Sequence, residues 1–316
     1  MTKVTSALAT YDVTTNREDL VDAVYRISPA DTPFMSAVPR TKATAVLHEW
    51  SLDTLANINS SNARLEGDAL SRASSTSPSR KSNYCQISSK DATVTGTQRA
   101  TNPAGIDDML AYQMSKKSLE LRKDMEYILL GNQGQNAGNT TTARTLRSFN
   151  SWISASGSRG TNGADSTGAT AAATDGTAGD LRAFTETLLK AAIKQAYTAG
   201  GEPDLILVGP SNKQQFSTFT GRATARENIT VGTVQGAASL YASDFGTLKV
   251  VPSRTQRDRD CWVIDTTKVA VSFLRAFEPQ ELGRVGDAIT RDLISEYTLE
   301  MRAPAAHALV ADLTTP

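Results

Sequence analysis

Hydrophobic positions divide the chain into stretches of different period. Leu20, Val21, Val24 and Ile27 make a short amphipathic stretch that stops at Ser28-Pro29. Ala30-Asp31-Thr32-Pro33-Phe34 then reads as a turn, because each proline fixes its own φ and pushes the preceding residue out of the helical region. Val46, His48, Trp50 and Leu52 alternate with period two and predict an outgoing strand. A threonine-rich return strand is expected from about Tyr84 to Gln98. Between them, residues 57–83 are rich in Ser, Asn and Arg and almost free of apolar side chains. The pattern therefore predicts an arm over 1–41 and a long two-stranded excursion over 42–101. A polar tip of this kind cannot bury enough surface to order itself. It is either a disordered surface insertion or a loop that becomes ordered against an adjacent subunit.

The strongest helical pattern covers 104–130. Asn102 is placed to cap it, Pro103 fits the first turn, and Asp107 and Asp108 complement the helix N-terminus. Ile106, Leu110, Met114, Leu121, Met125 and Ile128 recur at helical spacing, Lys116, Lys117, Glu120, Lys123 and Glu126 sit largely on other faces, and Gly131 ends the run. Such a helix is about 40 Å long, an organising strut for a chain of this size. Leu146, Phe149, Trp152 and Ile153 form an apolar island in a segment otherwise punctuated by small residues, and 157–179 is of low complexity and reads as a flexible loop. Asp180 is expected to cap a helix burying Leu181, Phe184, Leu188, Ala192 and Ala196, ended by Gly200-Gly201. Leu205-Ile206-Leu207-Val208 reads as a strand buried on both faces, and Gly209-Pro210-Ser211 opens a further helix. Lys249-Val250-Val251 and Cys261-Trp262-Val263-Ile264 are later strands joined by the charged turn Ser253 to Asp260. Val269-Ala270-Val271 begins the last β region. From Ile289 the odd positions are apolar over about fifteen residues, the mark of a long half-buried strand that Pro304 stops. A strand and a helix this long should pack lengthwise. No tandem repeat is present.

Charge and chemistry narrow the function. Across 316 residues, Lys plus Arg and Asp plus Glu both count 33, so the formal net charge is zero, which disfavours a protein held to nucleic acid by phosphate contacts. Cys85 and Cys261 are too few for a disulfide framework and show no metal-ligand spacing. No apolar run approaches the ~18 residues of a membrane span, and the N-terminus lacks a signal-peptide core. A soluble protein made in the cytoplasm is expected. Sparse aromatics and abundant Ala, Thr, Ser and Gly suit a flat molecule with long loops, stabilised by its neighbours. No phosphate-binding loop, dinucleotide fingerprint, nucleophile elbow or zinc-protease motif occurs, and the two histidines, His48 and His307, are far apart. Asp258-Arg259-Asp260 reads as a solvated, self-paired turn in preference to a metal site. Arg222 with Arg226, and Arg254, Arg257 and Arg259, are basic clusters, while Glu278 to Asp312 carries seven acidic and three basic side chains. Opposite charge at different ends of a neutral chain favours head-to-tail contact between copies; the alternative is ordinary surface scatter.

The order of these parts, together with the wording of Arg17 through Leu52, of Glu120-Leu-Arg-Lys-Asp-Met-Glu-Tyr-Ile-Leu-Leu-Gly131 and of Ala199-Gly-Gly-Glu-Pro-Asp-Leu-Ile-Leu-Val-Gly-Pro210, resembles the major capsid proteins grouped with phage SU ten, a branch of the Hong Kong 97-type fold. The resemblance implies an α+β fold with an N-arm (1–41), an extended β-hairpin loop (42–101), a peripheral domain (102–179) with a spine helix (104–130), an axial α/β domain (180–264), peripheral return strands (265–303) and a C-terminal tail (304–316). It implies hexamers and pentamers forming an icosahedral or prolate shell around double-stranded DNA, with no enzymatic activity and no cofactor. Expected partners are further copies of the chain, a portal, separate scaffolding or decoration proteins, and the packaged DNA through weak interior contacts, with no membrane. The chain would reside in the virion capsid after synthesis in the bacterial cytoplasm. Candidates for contact between subunits are Phe34, Trp50, Arg64, Arg72, Arg80 and Lys81 in the arm and loop. The two basic clusters, Arg222 with Arg226 and Arg254 with Arg257 and Arg259, and the acidic Glu278 and Glu281 complete the set. The stretch 157–179 and the loop bases near Thr41 and Thr101 are candidate joints. Some relatives link the loop to a neighbour by a Lys–Asn isopeptide bond. Lys81 or Lys90 could supply the lysine, but no Asn lies between Ile229 and Pro316, so no crosslink is expected. The arm is too short for a fused scaffolding domain. A nanocompartment shell of the same fold, an α/β enzyme and a nucleic-acid module are the alternatives.

Overall fold

A computed structural model describes residues 31–56, 58–63, 65–67, 77–101, 106–153, 157–164, 177–219, 239–284 and 286–315. In chain order the elements are α1 (Pro33–Ala37), β1 (Arg40–Lys42), β2 (Leu47–Leu52), β3 (Ser79–Tyr84), β4 (Gln86–Thr95), α2 (Gly96–Ala100), α3 (Met109–Leu130), α4 (Phe149–Trp152) and β5 (Gly157–Ser158). They continue as α5 (Glu186–Thr198), β6 (Leu205–Val208), α6 (Pro210–Phe216), β7 (Leu240–Ser243), β8 (Gly246–Pro252), β9 (Cys261–Ile264), β10 (Val269–Glu281), β11 (Ala288–Met301) and β12 (Ala308–Val310). Three sheets result: four strands in the order β1-β10-β11-β4, six in the order β5-β12-β9-β6-β8-β7, and the pair β2-β3. The architecture is α+β, as expected.

The long helix forms, with a later start than its pattern suggests. Asp108, not Asn102, is the cap: its Oδ1 accepts from Leu110 N at 2.8 Å and Ala111 N at 3.3 Å. Residues 102–105 lie outside the described set. Leu121, Met125 and Leu129 are fully buried along one stripe, and α3 runs lengthwise over the four-stranded sheet. Leu110 packs with Val94 and Ile289 near one end, and Lys90 meets Asp124 at 2.7 Å farther along.

The six-stranded sheet is a wall between two cores. On one face Leu205, Leu207, Trp262, Ile264 and Leu309 pack with α1, α3, α4 and the four-stranded sheet. On the other, Ile206, Val208, Val263, Ala308 and Val310 pack against α5 and α6. The all-apolar sequence of β6 follows from this two-sided burial. Phe149, from the apolar island, sits edge-on between Phe34 (centroids 5.6 Å) and Trp262 (5.1 Å), joining arm, island and sheet.

Several expectations need correction. The return strand is broken at Cys85: β3 pairs with β2, whereas β4 leaves the excursion and pairs with β11 from Thr95↔Ala288 to Gln86↔Tyr297. Residues 96–100 are helical, not strand. The helix expected from Asp180 begins at Glu186, capped by Thr185, because 180–184 runs extended beside the C-terminal segment. Arg182 N donates to Asp312 O, and Thr314 N donates to Arg182 O. Leu181 is accordingly exposed and Leu189 and Ile193 take the buried face. Residues 304–316 are not a tail over their described part: β12 lies between β5 and β9, and Leu313 is fully buried. The ends of 157–179 are fixed as well. Asp180 N donates to Thr161 O at 2.8 Å, and Gly160 approaches Asp180 so closely that any side chain there would collide with its carbonyl. Residues 165–176 lie outside the described set. The long strand β11 is half-buried only in its first part; after Ser295 both its faces are covered. The charged turn is solvated only at Arg254 and Arg257, and its acidic residues are engaged or buried. Asp258 Oδ2 accepts from Ser211 Oγ at 3.1 Å, Gln256 Nε2 donates to Asp260 O at 2.8 Å, and Asp260 is buried, its carboxyl pushed up to about 6 by burial against the opposing pull of Arg257.

His307 is fully buried beside Phe149, with Nδ1 accepting from Asp265 N at 3.2 Å. Burial pushes its pKa down to about 4, so it stays neutral while the unfolded chain takes up a proton. The sign follows: stability attached to His307 is complete above about pH 6.5 and declines as pH falls toward 4, by on the order of 3 kcal/mol. Urea denaturation of wild type and His307→Gln across that window should show a stability difference that shrinks toward acid; a constant difference would refute the assignment.

Candidate functional site

Leu47↔Tyr84 through Leu52↔Ser79 set the register of the β2–β3 hairpin, a two-stranded ribbon that shares no sheet with any other strand. A lone ribbon is marginal in water. At its base it is held by specific bonds to β11. Trp50 Nε1 donates to Met301 O at 2.9 Å, and its ring meets Trp152 at 5.7 Å. Asn83, with no exposed surface, satisfies three backbone groups: Nδ2 donates to Leu299 O (2.8 Å) and Arg147 O (3.1 Å), and Oδ1 accepts from Arg147 N (2.7 Å). Cys85 N donates to Val46 O, closing the hairpin mouth; burial pushes the thiol up to about 11, which leaves it unreactive.

Beside these lies a polar hub. His48 Nε2 is 3.3 Å from both Glu300 Oε2 and Ser272 Oγ, Thr41 Oγ1 is 2.6 Å from Ser272 Oγ, and Arg302 Nε donates to Glu300 at 2.9 Å. Burial raises the Glu300 pKa, but the bonds from Arg302, His48 and Ser272 outweigh it and hold the carboxyl below its ordinary value. Serine and glutamate address the same imidazole nitrogen, so the cluster cannot relay a proton from one to the other; it ties arm, hairpin and sheet together. A second buried carboxylate, Glu296, is gripped by Arg144 (3.0 Å) and Arg275 (3.1 Å).

Away from its base the hairpin turns outward. Leu55, Ile58 and Leu65 are 98%, 101% and 83% exposed. Nothing in the described part of the chain covers them.

The candidate contact residues divide accordingly. Phe34 is fully buried in its own subunit's core, whereas Trp50 is docked at the hairpin base and remains only half-buried. Arg80 is exposed, 3.5 Å from Glu49, and Lys81 is exposed. Arg254 meets Asp31 at 3.2 Å and Arg257 lies 3.7 Å from Asp312, while Arg259 is half-buried. Glu278 is exposed and Glu281 pairs with Arg291 at 3.4 Å. Arg64, Arg72, Arg222 and Arg226 lie outside the described residues. The opposite-charge argument for head-to-tail contact weakens, because Glu296, Glu300 and Asp312 are spent on partners within the chain. Lys90, one candidate for crosslinking, is engaged with Asp124.

Sequence reading missed Asn83, Glu126, Glu296 and Glu300 as buried residues. Glu300 and Glu296 occupy the polar phase of the β11 alternation, and Glu126 lies next to the α3 stripe. The one available signal is four-residue spacing, which places Glu126 in line with Leu130. Among the described residues no group of His, Cys, Asp and Glu is arranged to hold a metal. A cleft of about 800 Å³ between the end of α3 and the 253–260 turn is lined by a mixture of amide, apolar and glycine residues with Arg257 and Asp260, and carries no nucleophile–base pair among its lining residues.

Comparison with known families fixes the affiliation. The SU10 major capsid protein model matches residues 5–314. The chain belongs to that family. Across a shorter stretch it resembles the major capsid protein of Escherichia phage Phieco32, with 31% identity over 125 residues, 40% of this chain and 36% of the length of that relative. Its fold is shared more widely. A chain from Mycobacterium phage Bobi superposes with a TM-score of 0.64 at 10% identity, covering 98% of this chain and all of the other (100%). The capsid of the native GTA particle gives 0.65 at 10% identity (99% and 100%), and the cyanophage A-1(L) capsid 0.63 at 12% (97% and 98%). This capsid-family chain therefore has the Hong Kong 97-type fold. Its affiliation is with structural shell proteins and not with enzymes.

Removing the anchors should free the hairpin before it harms the body. Trp50→Phe leaves the Met301 carbonyl without its donor and should cost about 1–2 kcal/mol; Asn83→Ala orphans three backbone groups and should cost on the order of 3 kcal/mol. Limited proteolysis should show faster cleavage between Asp53 and Pro78 in both variants. Unchanged cleavage rates would show that the ribbon is held by something else.

Proposed function

We propose that this chain is the shell subunit of a tailed-phage head, assembling into hexamers and pentamers that close around double-stranded DNA. The observation that carries the reading is the contrast between a body whose cores are filled and a projecting hairpin whose Leu55, Ile58 and Leu65 are left exposed by the described residues. Each of these side chains is worth roughly 1.5–3 kcal/mol once buried, and a lattice offers that burial in every copy. Contacts of this kind run head to tail and close into rings when the rotation permits. In this reading β2–β3 is the extended loop. The four-stranded sheet with α3 is the peripheral domain. The six-stranded sheet with α5 and α6 is the axial domain, to which β5 and β12 also belong. Portal, scaffolding and decoration proteins, weak interior contacts to DNA, and assembly in the bacterial cytoplasm belong to the same proposal.

Sedimentation velocity of the purified chain, alone and co-expressed with scaffold candidates, followed by negative-stain imaging, is the direct test. Closed shells or ring capsomers are expected. Leu55→Asp with Ile58→Asp should abolish them while leaving the subunit melting temperature unchanged. A chain that stays monomeric under every condition would sink the proposal, and shells holding protein cargo in place of DNA in infected cells would favour the nanocompartment. On denaturing gels, mature particles should run as one band at 33.7 kDa, without covalent ladders, since no Asn follows Ile229 to receive Lys81 or Lys90.

A further inference from the structure

Glu126 is a carboxyl group buried without a charged partner among the described residues. It sits on α3 with no exposed surface, and among the described residues no cation lies against it. Its two oxygens each accept one bond from the arm: Phe34 N to Oε1 at 2.7 Å and Met35 N to Oε2 at 2.8 Å. Those amides open α1, so the carboxyl oxygens supply acceptors that the short helix cannot supply itself. The Phe34 side chain enters the core beside them, against Phe149. Arm and spine helix are thus joined by one buried carboxyl group and the side chains that follow it in.

From this geometry we propose that Glu126 is a proton-coupled latch for the N-terminal arm: docking of Phe34 and Met35 onto the spine helix is accompanied by proton uptake at Glu126, and the arm is released as that proton is lost.

The direction follows from solvation. With the arm docked, burial dominates and pushes the carboxyl up to about 7, against the lowering effect of the Met35 and Phe34 amides. With the arm lifted, water reaches the group and it returns toward an ordinary carboxyl of about 4.3. The docked state therefore binds the proton more tightly, and docking weakens as pH rises through neutrality. The surrounding charges do not alter this. On α3, Arg122 lies over the Phe277 ring, Asp124 pairs with Lys90, and Lys123 is half-exposed. On the arm, Asp31 pairs with Arg254 at the surface; in the island, Arg147 lies over Trp152; and His307, beyond Phe149, is neutral. None contributes to the balance at Glu126.

The test is hydrogen–deuterium exchange on the full, unassembled chain, followed by mass spectrometry and corrected for the intrinsic pH dependence of exchange. Between about pH 5.5 and pH 8.5, protection of the peptide spanning Phe34 to Val38 should fall on the order of 30-fold, while β6 stays level. Glu126→Gln should flatten the arm profile. A wild-type profile already flat, or the same slope in Glu126→Gln, would overturn the proposal. Should that variant fail to fold, infrared titration of the wild type decides the matter. The carbonyl band of a buried carboxylic acid must vanish over the pH range in which the arm loses protection, and its absence at pH 5.5 refutes the latch. Because the measurement uses unassembled subunits, its outcome is independent of whether shells form.

Discussion

Strand β11 is the constraint on which the rest of the molecule depends. Both of its edges are paired, with β10 on one side and β4 on the other. Its carbonyls at Leu299 and Met301 receive Asn83 and Trp50 from the hairpin. Its side chains at Glu296 and Glu300 collect Arg144, Arg275, Arg302 and His48 from four different stretches of the chain. A strand has period two, so a register slip of one residue would turn all of these groups to the wrong face together. The buried ion clusters thus act as a register key: a carboxylate gripped by two guanidiniums is costly to leave half-made, whatever its net contribution to stability.

The two cores meet this frame differently. One lies between the six-stranded and four-stranded sheets and includes the arm; the other lies under α5 and α6 and is sealed by the C-terminal segment. The wall between them alternates its side chains strictly, Leu205 and Leu207 one way, Ile206 and Val208 the other. A substitution on either face is therefore felt by a distinct set of neighbours. Of the β2–β3 strands only Trp50 packs against a core, which is why the few anchoring bonds matter more to the hairpin's position than its own strand pairing does.

Where local pattern decides the outcome, the sequence was legible. The body of α3, the two-sided strand β6, the turn into α6 at Pro210 and the first half of β11 all follow from period, proline and glycine placement. What could not be read was partner choice. Nothing local separates Tyr84 from Gln86, yet one belongs to the hairpin and the other to the sheet, because Cys85 spends its amide on Val46. Asp180 looks like a better cap than Thr185 until the C-terminal segment pairs with Arg182 and draws the chain straight. Glu126, Glu296 and Glu300 look solvated because, apart from Arg302 beside Glu300, the groups that bind or bury them lie about twenty to more than two hundred residues away. The family resemblance rested on the order of parts, a coarser property that survives these local misreadings.

The place of β12 has a consequence for synthesis. The six-stranded sheet contains strands drawn from residues 157 through 310, and the strand between β5 and β9 is the last of them to be made. Until residues 308–313 have left the ribosome, Trp262 and Val263 have no neighbour on that side, and neither core is closed. A chain that lacks residues 308–313 leaves one edge of β9 unpaired and both cores open, so the body cannot be completed before these residues are made. Strand order thereby ties the closure of both cores to a single late segment, so the two faces of the six-stranded sheet are completed together and not one after the other.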